Sequence, residues 1–132
     1  MGQQDLITGN FLKINMRNKP KYNIFKNSKY AVDGLIVAIK EEFSLKIEIF
    51  LLFIILSLLF VLDMHNIEKL ILLITYFFII ISELLNSAIE NTVDLVTEDE
   101  NILAKKAKDI GASAVMVCVF LHILCWFIII IK

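Results

Sequence analysis

The stretch Glu83-Leu-Leu-Asn86-Ser87-Ala-Ile-Glu90-Asn-Thr-Val-Asp94 follows directly on thirteen uncharged residues, 70–82. At about 100° per residue, Glu90 lies about 20° from Glu83 around a helix, and Asp94 about 20° to the other side. Asn86 and Ser87 bracket the same direction, so five polar groups form one stripe, while Leu84, Leu85, Ile89 and Val93 mostly face away. With a rise of 1.5 Å per residue and a hydrocarbon core about 30 Å thick, a membrane span needs about 20 residues. Counting about 20 onward from Leu70 draws in Glu83, so this segment crosses lipid only if it takes the acid with it. A charged side chain at mid-membrane costs roughly 2.5–3.5 kcal/mol on insertion scales; such groups face a protein interior and tend to be kept for function. The alternative is an amphipathic helix that emerges into water near Glu83 and carries its acids as a solvated face.

Two further uncharged runs flank this one, residues 49–62 and 110–131, of 14 and 22 residues. Only the 22-residue run is long enough unaided; the run ending at Leu62 must recruit Glu48 and Lys46 to cross. Across all 132 residues, 58% are apolar and 20% charged, with a net charge of −1. A small water-soluble domain of this composition would expose more apolar surface than monomers tolerate. The four glycines, at 2, 9, 34 and 111, cannot be assembled into a glycine-rich phosphate loop. The expectation is an all-α integral membrane protein.

Charge layout orients it. Residues 1–29 carry Lys13, Arg17, Lys19, Lys21, Lys26 and Lys29 against Asp5 alone, and lack the apolar core of a cleavable signal. The connection after the acidic stripe carries Lys105, Lys106 and Lys108, whereas residues 63–69 are short and nearly neutral. The positive-inside rule places the N-terminus and the lysine-bearing connection in the cytoplasm, which agrees with three spans. These are expected over about 45–62, 69–92 and 110–131, in one domain covering 22–132. Residues 1–21 are expected to be a flexible basic tail. Residues 22–44 alternate apolar and polar side chains, with Ile24, Tyr30, Gly34, Leu35, Ala38 and Ile39 compatible with one face, and read as an amphipathic helix on the membrane surface.

Carboxylates lined along one helix suit two tasks, holding a divalent metal through hard oxygens and, where burial raises a pKa, serving as a general base. Phosphoryl transfer needs both, together with positive charge near the moving phosphate. Lys105 and Lys108, at i and i+3, supply that charge beside the membrane, although the same cluster also reads as the positive-inside signal. Asp109 next to Lys108 can position a donor group of a ligand. Glu42 and Lys46 are one turn apart, the spacing of a surface ion pair; the functional alternative is that one acid from Glu41, Glu42 and Glu48 completes a metal site begun by Glu90. Cys118, His122 and Cys125 share one span, but supply only three weakly convergent groups and no fourth ligand, so ordinary packing is the expectation there.

The two long ungapped motifs, Glu83 to Asp94 and Ala107-Lys-Asp-Ile-Gly-Ala-Ser-Ala114-Val, resemble the bacterial integral-membrane diacylglycerol kinase family, as does the junction from Gly34-Leu to Glu42, Phe43 and Lys46. The likeness covers roughly residue 22 to the C-terminus. It implies a homotrimer of three-span protomers in the bacterial inner membrane, transferring phosphate from MgATP to the primary hydroxyl of diacylglycerol to give phosphatidic acid. No nucleic-acid partner is expected. By motif position, Glu83 matches the general base, Asn86 and Asp94 its support, and Glu42 and Glu90 the acids that hold Mg2+. Lys108, Asp109, Asp99, Glu100, Asn101 and Tyr30 match nucleotide-binding positions, and Ser44, Lys46, Glu48, Glu83 and Ala112 the lipid-substrate side. Asn23 and Asp33 depart from positions where basic residues are common. Val96-Thr-Glu-Asp resembles members from Gram-positive bacteria, some of which phosphorylate undecaprenol, whereas Glu48 resembles the diacylglycerol-specific members. Undecaprenol kinase is therefore the first alternative, and a small proton-coupled transporter using Glu83 as a relay the second.

Overall fold

The computed structural model describes residues 23–97 and 99–132. The expected basic tail, 1–21, lies outside the described residues, as do Tyr22 and Glu98 of the motif after Val96. Four helices follow in order: α1 (Ile24–Glu41), α2 (Phe43–Val61), α3 (Asn66–Val96) and α4 (Ile102–Ile131). The last three are long and apolar enough to cross a membrane, and no strand occurs among the described residues. This is the all-α, three-span architecture expected.

The chain divides into two units between Asp33 and Gly34, within α1. In the first, Asn23 starts the helix: its side-chain oxygen accepts from the Lys26 backbone N–H at 3.2 Å, supplying one of the partners that a helix N-terminus lacks. α1 has no buried residue. Its apolar and polar residues segregate to opposite faces, the pattern of a helix made for an interface between water and lipid.

In the second unit, Glu42 adopts an extended conformation (φ −88°, ψ 119°) and turns the chain from α1 into α2. The Lys46 ammonium donates to the carbonyl of Lys40 at 2.7 Å, satisfying a terminal carbonyl and placing positive charge at the negative end of the helix dipole. The expected Glu42–Lys46 ion pair is thus replaced by a cap, at the point where the extended backbone of Glu42 separates the two helices. At the far end of the bundle, Glu68 accepts from the His65 backbone N–H at 3.0 Å and pairs with Lys132 at 3.0 Å. Asn101 starts α4, its side-chain oxygen accepting from Leu103 N–H at 2.8 Å.

α3 is the central element. Leu72, Thr75, Tyr76, Ile79, Ser82, Glu83, Asn86 and Ser87 are buried, and their spacing of three and four residues draws one continuous stripe along the helix. α3 packs along much of its length against α4 and less extensively against α2. Phe53, Phe60, Phe120 and Phe127 stay exposed on the outside, as suits side chains facing lipid rather than water.

Helix lengths set the level of each group. α2, at 19 residues, rises about 28 Å and just matches the hydrocarbon core. α3 and α4 have 31 and 30 residues, which is about 45 Å and exceeds that core by about 15 Å. The Glu68–Lys132 pair levels them at one end, so the excess projects at the other. That end carries the carboxylates of α3 and the lysines of α4.

Candidate active site

Glu83 is 8% exposed. Its Oε1 accepts a hydrogen bond from the Ser44 hydroxyl, one residue inside the start of α2. Glu83 is therefore level with the end of the helix that just spans the membrane. Glu90 lies about 10 Å further along α3 than this level. Glu48, one turn after Ser44 on α2, has a buried Oε2 with no hydrogen-bond partner. An acid and an unpartnered acceptor oxygen thus sit together near the start of α2.

One turn along α3, Asn86 is 8% exposed and donates from Nδ2 to Glu90 Oε1 at 2.8 Å. Its Oδ1 is buried without a hydrogen-bond partner. That oxygen fills the space a side chain on Gly111 of α4 would need, and a Cβ there would also meet Asn86 Cγ at 3.4 Å and Ile89 Cδ1 at 3.6 Å. Glycine at 111 thus lets α4 approach α3 closely enough to cover the amide. The sequence-predicted stripe exists, but in graded form: Glu83, Asn86 and Ser87 are buried, Glu90 is half-buried, and Asp94 is exposed.

Beyond the stripe, the projecting ends of α3 and α4 enclose a cleft of about 650 Å³ lined by Asp94, Thr97, Asp99, Glu100, Asn101, Lys105, Lys108 and Asp109, with Ile102 and Ala104. This is within the range of small-molecule sites. Lys108 bridges it to Asp94 at 2.6 Å, and Lys105 pairs with Asp109 at 2.7 Å along α4. These pairs are substantially exposed, and exposed ion pairs contribute about 0–1 kcal/mol. Both ammonium groups can exchange a carboxylate for a phosphate, which forms strong charge-assisted hydrogen bonds. Five of the six expected nucleotide positions line this one cleft.

A profile of the prokaryotic diacylglycerol kinase family matches residues 29–130. The chain belongs to that family. It is 31% identical over 104 residues to a diacylglycerol kinase of Haemophilus influenzae, covering 79% of this chain and 88% of the relative. A diacylglycerol kinase of Pseudomonas aeruginosa is 31% identical over 103 residues, covering 78% and 84%. An undecaprenol kinase of Bacillus subtilis is 60% identical over 43 residues, a third of each chain. The protein is a multi-pass membrane kinase whose reaction is nucleotide-dependent and whose relatives are named for lipid substrates. Kinase membership displaces the transporter alternative.

The other expected residues of this kinase have surroundings of their own. Tyr30 lies in the first unit, exposed, with the Lys26 ammonium 5.8 Å above its ring. Lys46 is committed to the carbonyl of Lys40, and Ala112 is exposed beside Gly111. Glu42 makes no side-chain cap on α2, and among the described residues no three His, Cys, Asp or Glu side chains converge as a metal cage. Mg2+ does not need one: it is held by one or two carboxylates together with substrate phosphates. The Glu90 carboxylate and the orphaned Asn86 Oδ1 are hard oxygen donors of the type it requires. The Cys118, His122, Cys125 set is not a metal site, because both His122 nitrogens are engaged, with Thr75 Oγ1 at 2.8 Å and Trp126 Nε1 at 3.0 Å. Thr75 and Tyr76 were missed by sequence reasoning. They precede Glu83 by eight and seven residues on the same stripe, and extending the periodicity backward would have found them.

Proposed function

We propose that this kinase transfers the γ-phosphate of MgATP to the primary hydroxyl of diacylglycerol, giving phosphatidic acid. The observation that carries it is the buried Glu83 carboxylate, hydrogen-bonded to Ser44 at the level where α2 begins, with a nucleotide-sized cleft that carries Lys105 and Lys108 further along the same helix. Glu83 accepts the proton of the lipid hydroxyl as that oxygen attacks the γ-phosphorus, and the bond to the β-phosphate oxygen breaks. Ser44 orients the carboxylate, and Glu48, one turn further along α2, lines the acceptor side. Asn86, anchored to Glu90, and Asp94 support the stripe. Lys108 and Asp109, with Asp99, Glu100 and Asn101, hold the nucleotide, and Lys108 exchanges Asp94 for phosphate. Glu90 and Glu42 hold Mg2+, which neutralises phosphate charge when bound. Lys46, Ala112 and Tyr30 are assigned to the edges of the lipid and nucleotide sites by motif position.

The working assembly we propose is a homotrimer in the bacterial inner membrane, with a cytoplasmic N-terminus and α1 on the membrane surface. The lightly buried outer faces of α2 and α4 favour it, since neighbouring copies can cover what three thin helices cannot. Undecaprenol is the second acceptor to consider, because a 43-residue stretch is 60% identical to an undecaprenol kinase.

A lipid panel with labelled ATP in mixed micelles tests the proposal. Diacylglycerol should be the better acceptor, and Glu83→Gln should lower turnover by orders of magnitude with the fold retained. Undiminished turnover in Glu83→Gln removes the base assignment; undecaprenol as the preferred acceptor replaces the substrate.

A further inference from the structure

Two turns before Glu83, α3 carries a buried polar pair that phosphoryl transfer does not use. Thr75 is 7% and Tyr76 3% exposed, and their neighbour on α4, His122, is 6% exposed. The Trp126 indole N–H is only a donor, and it donates to His122 Nε2 at 3.0 Å. Nε2 therefore presents its lone pair, and the proton on Nδ1 is donated to Thr75 Oγ1 at 2.8 Å. The Thr75 hydroxyl passes its own proton to the carbonyl of Ile71 or Leu72, at 3.0 and 3.1 Å. Every polar atom of the imidazole is satisfied in one tautomer, which locks the ring.

Tyr76 stands against this locked ring, edge to face, with ring centroids 5.3 Å apart and planes at 67°. Its hydroxyl reaches the opposite way and donates to the backbone carbonyl of Glu48 on α2 at 2.6 Å. α2 buries only Leu45 and Leu59, so apolar packing fixes its position weakly. Two hydrogen bonds one turn apart on α2, from Ser44 to Glu83 and from Tyr76 to Glu48, tie it to α3 at the acceptor end. Without the second, the turn that carries Glu48 Oε2 keeps only the Ser44–Glu83 bond and Leu45 to hold it in place.

We infer that Tyr76, braced by the Trp126–His122–Thr75 chain, is a positioning residue that fixes Glu48 beside Glu83 and so sets how the acceptor lipid is held. The effect on acceptor binding presupposes the lipid-kinase function proposed above, whereas the hydrogen bond itself does not.

Tyr76→Phe keeps the ring against His122 and removes only the hydroxyl. In bilayers, the carbonyl 13C resonance of Glu48 should move in this variant; an unmoved resonance overturns the inference whatever the activity. In mixed micelles, the acceptor KM should rise about two- to tenfold, the worth of one hydrogen bond, with the ATP KM unchanged. Adding Tyr76→Phe to Glu48→Gln should produce no further rise, since the first acts through the second. Multiplicative effects, or equal changes in both KM values, overturn the positioning role and leave a packing one. His122→Phe, which keeps a ring but breaks both bracing bonds, should raise the acceptor KM in the same direction, and an unchanged value removes the brace. Failure of the unsubstituted protein to phosphorylate any lipid would refute the kinase reading separately, with the Glu48 resonance still deciding whether the tie exists.

Discussion

Gly111→Ala should separate stability from activity. The added Cβ falls where Asn86 Oδ1 now sits, with Asn86 Cγ and Ile89 Cδ1 at 3.4 and 3.6 Å. Overpacking of a well-filled site costs about 1–3 kcal/mol, and replacing glycine by alanine inside a helix returns about 1 kcal/mol. The atom in the way is the tip of a side chain, which can swing aside, so the net loss of stability should be at the low end, about 0–2 kcal/mol. Swinging aside breaks the 2.8 Å bond from Asn86 to Glu90. A hydrogen bond to a charged group contributes about 1.5–3 kcal/mol, so if Asn86 supports the transition state, kcat/KM should fall about 10- to 100-fold. Thermal unfolding in detergent measures the first quantity and a labelled-ATP assay the second. Asn86→Ala in the same chain should relieve the clash, making Gly111→Ala neutral or stabilising in that background. A Gly111→Ala protein with full kcat/KM, or one equally destabilised whether residue 86 is Asn or Ala, would refute the close contact as the cause.

Other expectations follow from the same geometry. Glu90→Gln should raise the magnesium concentration needed for half-maximal activity, and an unchanged titration removes Glu90 from the metal. Lys108→Met should raise the ATP KM about tenfold with little effect on the melting midpoint, because the ion pair it forfeits is exposed; a large loss of stability without a KM change would make the pair structural. Lys132→Ala, at the opposite end of the bundle, should lower stability by no more than about 1 kcal/mol and leave kcat/KM intact, which activity assays and thermal melts check together.

Much of the fold was legible because lipid imposes a length rule on the chain. The runs 49–62, 70–82 and 110–131 announced three helices, and the 100° spacing of Glu83, Asn86, Ser87 and Glu90 announced which face of α3 is buried. The gradient along that face was not legible. Whether Asp94 is buried depends on how far α3 outruns α2, and this is set by where each helix stops, after 19 residues in α2 and 31 in α3. The partner of Lys46 was misjudged for a local reason: a regular helix would set it beside Glu42, but the extended backbone at Glu42 redirects it to the Lys40 carbonyl. The Thr75–His122 link was not legible, because a hydrogen bond between α3 and α4 leaves no periodic mark that pairs the two helices. Family likeness alone carried the expectations for Glu42 and Ala112, which no contact among the described residues of their unit suggests.

The mismatch in helix length explains why a protein this small can join a lipid to a nucleotide. A water-soluble donor and a membrane-bound acceptor must meet at a boundary, and neither can move far from its own phase. A helix that ended with α2 would carry its carboxylates only at headgroup depth, within reach of the lipid and out of reach of a bound nucleotide. By continuing past Glu83 for thirteen residues to Val96, α3 carries one stripe out of the apolar layer, and α4 accompanies it to provide the lysines. From Glu83 to Asp94 the stripe advances about 16 Å, with Glu90 at about 10 Å. Acid, amide and second acid are thus strung along the path that links acceptor level to cleft. Gly111 matters at the middle of that path, since only close approach of α4 covers Asn86 where the helices leave the membrane. Shortening the projecting part of either helix should therefore abolish nucleotide binding while leaving the membrane-spanning bundle folded.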